Sequence, residues 1–194
     1  ETSLRARGLT VRRIELSTQH LGLSSAEELK TALTFSNSNV SNEVQRLQEL
    51  VEESRFLVFV HPVFWFDVPS QLKGFQESVL STGFAYCKLP GHWLLNRAVS
   101  VIERVPIVRN VARRYAAYGM LRDKQVFITR TQGGPSAGMG VFGHEATTLE
   151  SSLQFCGAHL ASVDVVAELD DISKEELSQK VVPKAKQVIE EHCR

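Results

Sequence analysis

From Phe56 to Val60 every position is apolar, with none of the polar alternation that marks a half-exposed strand. Such a run predicts a central parallel strand covered by helices on both faces. Pro62 cannot continue the ladder, and Phe64-Trp65-Phe66 follows at once, so large rings are presented beyond the strand's carboxyl end. Open α/β sheets bind ligands at that end. Pro69 then suits the start of a helix over Pro69 to Ser81. Upstream, Ser41 is a good N-cap for a helix with Val44, Leu47, Leu50 and Val51 on one face.

The same pattern continues along the chain. Thr10 to Leu16 reads as a strand after a helical segment, Glu1 to Arg7, with Gly8 in the turn between them. Ser24 to Thr34 fits a short helix, and Ser36 to Asn39 a loop. Gln125 to Thr131 predicts a strand, His144 to Phe155 a helix and Ala161 to Val166 the last strand. Ser173 caps a closing helix to about His192. Alternating strands and helices imply an α/β fold with a parallel sheet, taken as a single domain over residues 1–194.

The run Pro62-x-x-Trp65-Phe66-x-x-Pro69 with Leu72-Lys73-Gly74, then Gly83-Phe84-Ala85-Tyr86, resembles the NAD(P)H:quinone oxidoreductase family of flavodoxin-like folds. A second block agrees: Thr131-Gln132-Gly133-Gly134 stands where that family reads Thr-Thr-Gly-Gly, and Leu153 to Gly157 is similar to its helix end before the last strand. The resemblance implies a three-layer sandwich and a flavin, FAD or FMN, that carries a hydride from NAD(P)H to a quinone or similar electrophile. It implies a homodimer as well. By the same resemblance Pro62, Val63, Phe64, Trp65 and Phe66 would wall the flavin rings. Thr131, Gln132, Gly133 and Gly134 would face their polar edge, where residues without side chains let backbone N–H groups approach. Tyr86 and His144 would be the catalytic contacts to the quinone, histidine being suited to proton handling near neutral pH. The tyrosine that partners this histidine in the family is replaced here by Met139 or a neighbour.

Two departures qualify the resemblance. The family's first central strand and its phosphate loop have no counterpart in the chain, so the expectation is either a fragment of a longer protein, which is favoured, or a fold that has lost a strand. About residues 88–120 form an insertion with Leu94, Ala98, Val101, Val105, Val108, Ala112 and Tyr115 at helical spacing. It carries Arg97, Arg104, Arg109, Arg113 and Arg114 against Glu103 alone, a pattern suited to packing on its own domain, on a partner protein or on an anionic membrane surface. These departures keep open an alternative of another class, a flavin-poor regulatory or scaffold subunit that binds a partner such as an ion-efflux system.

Composition narrows the remaining classes. With 22 basic and 22 acidic residues, the chain has no overall field to draw nucleic acid. Cys87, Cys156 and Cys193 are too few and scattered for a disulfide framework, and the histidines show no metal-ligand spacing, so no metal is expected. No signal-peptide pattern and no bilayer-length apolar run are present, so a reducing, cytoplasmic setting is the expectation.

Overall fold

Helix-forming and strand-forming stretches alternate in the computed structural model, which describes residues 2–6, 8–18, 21, 40–87, 118–135, 138–141, 146–168, 173, 175, 176, 179 and 191. The elements in chain order are α1 (Thr2–Arg5), a 3-10 turn (Leu16–Thr18), α2 (Asn42–Glu53), β1 (Phe56–Pro62) and α3 (Ser70–Ser78). They continue with β2 (Tyr86–Cys87), β3 (Tyr118–Gly119), β4 (Gln125–Thr131), α4 (Gly138–Val141), α5 (Thr148–Phe155) and β5 (His159–Val166). The main sheet has the order β1-β4-β5, both pairings parallel, and β2 pairs with β3 in a separate antiparallel ribbon.

Ser41 caps α2 as its sequence predicts: its Oγ accepts from the Val44 N–H at 3.3 Å, and Val44, Leu47 and Val51 are buried. Those side chains join Leu57 of β1, Val126 and Ile128 of β4, Leu72 and Phe75 of α3, and Leu149 and Leu153 of α5 in one core. Phe59 meets Phe75 edge-on, with ring centroids 5.8 Å apart. The described helices α2, α3 and α5 thus contribute to the core on the Leu57 face of the sheet. Residues assigned by sequence to the closing helix lie mostly outside the described ones. Its cap is visible, since the Ser173 N–H and hydroxyl donate to Glu176 Oε2 while the Glu176 N–H donates to Ser173 Oγ.

Several expectations are corrected. β1 is an edge strand of the described sheet, not a central one, and its second face is open: Val58 is 58% and Val60 71% exposed. A uniformly apolar run implies double cover only where helices lie on both faces, and α2, α3 and α5 all pack on the Leu57 face. Residues 10–15 join no strand, because a strand there needs a neighbour for its backbone groups and the described residues supply none. The helix read from His144 begins at Thr148, where Thr147 and Glu150 form its cap. Residues 22–39, the insertion at 88–117 and His144 fall outside the described residues.

Gly119 marks the tightest approach between ribbon and helix. A Cβ there would lie 2.3 Å from the carbonyl carbon of Cys156, at the end of α5. Backbone on both sides leaves no soft atom to yield. Gly119→Ala is therefore expected to cost about 3 kcal/mol, read as a clear drop in thermal unfolding midpoint. A midpoint unchanged from the parent would show that this junction yields freely.

Candidate functional site

Register places the two predicted blocks side by side. Pro62, the last residue of β1, pairs with Thr131, the last of β4, and the Val63 N–H donates to the Thr131 carbonyl at 2.7 Å. The aromatic loop and the Gly-Gly loop therefore leave adjacent strands at the same carboxyl edge, the position at which open parallel sheets bind ligands.

The aromatic loop is a tight turn. Phe64 N–H donates to the Asp67 carbonyl at 2.9 Å, and Asp67 N–H returns to the Phe64 carbonyl at 3.0 Å. Both central residues are left-handed, Trp65 at φ 50° and Phe66 at φ 66°. Turns of this hand normally use Asn and Gly. With bulky side chains the conformation costs about 1–2 kcal/mol per residue, and such strain gathers at ligand sites. Its product is an indole standing clear of the protein: Trp65 is 95% exposed.

Opposite, Gln132 is buried, its backbone N–H bonded to the Val166 carbonyl at 3.0 Å and its Nε2 to the Pro135 carbonyl at 2.6 Å. Its Oε1 is buried with no partner among the described residues. Neither Gly133 nor Gly134 has positive φ, so these glycines are not needed for a left-handed bend. Gly134 instead leaves room, for a Cβ built there would meet nothing within 4 Å. An exposed indole, an open stretch of backbone and an unpaired buried acceptor at adjacent strand ends are candidate parts of a cradle for a flat, polar heterocycle.

Behind the cradle lies a polar layer centred on the first turn of α5. The Asp67 carboxylate accepts from the Thr148 N–H at 2.9 Å and the Thr148 hydroxyl at 2.8 Å. Glu150 Oε1 accepts from Arg130 Nη1 at 2.7 Å and, at longer range, from the N–H and hydroxyl of Thr147. His61, between these groups and 4% exposed, bonds through Nδ1 to the Pro62 carbonyl at 2.9 Å. Its Nε2 has no partner among the described residues.

These environments set the charges. Burial lowers the His61 pKa, the Pro62 carbonyl opposes this, and the Arg130 charge lowers it further, against weaker pulls from Glu150 and Asp67. For Asp67, burial alone raises the pKa. The Thr148 N–H and hydroxyl, the Val68 N–H and the Lys73 charge together outweigh it and hold the carboxyl below its usual value. The consequences have definite signs. Below the ordinary histidine value of 6.5 the unfolded chain takes up a proton that folded His61 refuses, so stability declines. The Asp67 contribution is present above 3.8 and is lost as pH falls through its depressed folded value. Chemical unfolding followed across this range should show a shallow first decline that His61→Gln abolishes, and a profile identical in that variant would refute the assignment. Burial also pushes the Cys156 thiol up to about 12, so it is inert at neutral pH.

The structure thus sets Pro62 and Val63 against Thr131, so that the loops carrying Phe64, Trp65 and Phe66 and carrying Gln132, Gly133 and Gly134 leave adjacent strand ends. Tyr86 lies elsewhere. Its hydroxyl accepts from Thr82 Oγ1 at 2.8 Å, and its ring meets Phe155 edge-on at 5.0 Å. Phe155 ends α5, about 10 Å along the axis from the Thr148 end that holds the aromatic loop. Met139 is buried in α4. Sequence reading missed His61, Asp67, Arg130, Thr148 and Glu150 as parts of the site. Only the Thr147-x-x-Glu150 spacing carried a local signal.

A family model described as flavodoxin-like fold matches residues 1–192. The ribosyldihydronicotinamide dehydrogenase (quinone) of Mus musculus is 24% identical over 151 residues, which cover 76% of this chain and 57% of that protein. Among solved structures, the NAD(P)H:quinone oxidoreductase from Methanothermobacter marburgensis aligns with a TM-score of 0.66 at 16% identity, over 95% of this chain and 81% of that one. An FMN-dependent NADH-azoreductase from Bacillus anthracis, in complex with FMN, gives 0.59 at 12% identity, over 93% and 80% of the two chains. At such identities the structural likeness speaks for the fold alone. The chain spans between 21% and 57% of the length of the curated relatives it matches.

Proposed function

The chain belongs to the flavodoxin-like family, and from that premise we propose that the protein of which it forms all or part is a flavin-dependent NAD(P)H:quinone oxidoreductase. The observation that carries this reading is that Trp65 and the Gly133-Gly134 loop stand on neighbouring strand ends, with the buried Oε1 of Gln132, just before that loop, left without a partner among the described residues. A flavin's imide N–H is the kind of donor that this acceptor lacks. The relatives' names, quinone dehydrogenases and NAD(P)H oxidoreductases, support the same chemistry and lend nothing to the regulatory-subunit alternative.

Bound in the cradle, FAD or FMN would supply the two-electron step, taking a hydride from NAD(P)H and passing it on to a quinone. The chain's own part is to hold and shield. Trp65, Phe66, Phe64 and Val63 offer the apolar wall, while Pro62 ends β1 so that the wall turns out of the sheet. Gly133 and Gly134 admit the backbone close to the ring edge on which negative charge develops, and Thr131 and Gln132 add polar contacts there. Tyr86 and His144 belong to the proposal as quinone contacts, and a homodimer as the assembly. No described helix is long and apolar enough to cross a membrane.

Absorption spectroscopy tests the reading. Protein incubated with FMN or FAD and desalted should retain a flavin spectrum that bleaches with NADH or NADPH and recovers with a quinone. A preparation that folds yet retains neither flavin overturns it.

A further inference from the structure

The left-handed pair in the aromatic turn needs an explanation for its persistence. Trp65 and Phe66 occupy a backbone region that bulky residues resist, and the turn that holds them there is closed by the two Phe64–Asp67 backbone bonds. A loop free to unwind would carry the exposed indole with it.

One side chain reaches across to prevent this. Asp67 closes the turn, and its carboxylate spans 81 residues of sequence to the N–H and hydroxyl of Thr148, the first residue of α5. This bond is not simply a helix cap, because Thr147 already holds the N-cap position with Glu150 folded back onto it. The same turn of α5 holds the other half of the cradle. Glu150 grips Arg130, which precedes Thr131 at the stem of the Gly-Gly loop, through a pair whose side chains are 10% and 9% exposed.

We infer that Asp67 is a positioning residue for the ring-binding wall: its carboxylate pins the strained Phe64–Asp67 turn to the first turn of α5, which also grips β4 through Glu150. Trp65 and the Gly133-Gly134 loop are thereby held at one separation. The inference rests on the flavin reading for its purpose, but the pin itself is a property of the protein without any ligand. Asp67 does not touch the reacting atoms. It acts through Trp65, by keeping the indole in a conformation that its own backbone disfavours.

The experiment therefore has one readout with flavin and one without. Flavin dissociation constants and amide hydrogen exchange at Phe64 are compared in the parent, Asp67→Ala, Asp67→Asn and Ser41→Ala. Asp67→Ala is expected to weaken flavin binding about tenfold and to speed Phe64 exchange by about the same factor. Asp67→Asn keeps one acceptor oxygen for the Thr148 N–H and should restore most of both; should Asp67→Ala not fold, Thr148→Val, which removes the hydroxyl donor to the same carboxylate, is read in its place and in its direction. Ser41→Ala removes a cap from α2, remote from the cradle in sequence, and should lower stability without moving either readout. Affinity and exchange in Asp67→Ala, or in Thr148→Val where it is read instead, within about twofold of the parent overturn the inference, as does an equal loss of affinity in Ser41→Ala. If the parent binds neither flavin, the functional reading fails, and Phe64 exchange alone decides the pin: faster exchange in Asp67→Ala sustains it and unchanged exchange overturns it.

Discussion

Trp65→Ala is expected to weaken flavin binding by about tenfold or more, since stacking one aromatic side chain on a flat ring is worth about 1–3 kcal/mol. Stability should hardly change. The indole is 95% exposed and lies outside the core, so its removal opens no cavity. If anything, an alanine relieves part of the left-handed crowding at φ 50°. Affinity and unfolding midpoint measured on one preparation separate the two effects. An Ala variant that binds flavin as the parent does removes Trp65 from the site, whereas a variant that loses both would make it a structural residue.

Glu150→Ala should have the opposite profile. It leaves the Arg130 guanidinium buried without the carboxylate 2.7 Å from it, and breaking such a pair costs about 3–5 kcal/mol. It also strips the cap from α5, whose Leu149 and Leu153 are fully enclosed. Replacing both partners together, as Arg130→Leu with Glu150→Leu, should recover most of the loss, because no uncompensated charge then remains in the interior. Denaturant unfolding of the two single variants and the double variant gives the coupling directly. Additive losses would show that the pair does not act as a unit.

The two strands and the places where their loops leave were legible because they depend on local patterns. An unbroken apolar run ended by Pro62, and a second run ended by Thr131, located both strands, and motif resemblance located the loops that leave them. Periodicity reports which residues seek burial. It does not report what covers them, so the open face at Val58 and Val60 and the edge position of β1 could not be read from it. The strand expected at Thr10 to Leu16 failed for a related reason: pairing needs a neighbour, and propensity contains none. Contacts remote in sequence were equally hidden. Asp67 meets Thr148 and Arg130 meets Glu150 only after the sheet has formed, and in the sequence these are ordinary polar residues. Motif reading gave no hint of the packing of Tyr86, whose ring lies against Phe155 at the end of α5 away from Thr148.

The central claim is that the loops after β1 and β4 form the two sides of a single flavin cradle. It is tested most directly by titrating isotope-labelled protein with FMN, and separately with FAD, while following the Trp65 indole and the Gly133 and Gly134 amides by NMR. The account predicts that all three signals move together along one binding curve for at least one of the flavins. A titration in which the indole responds while the glycine amides stay still, or the reverse, contradicts it.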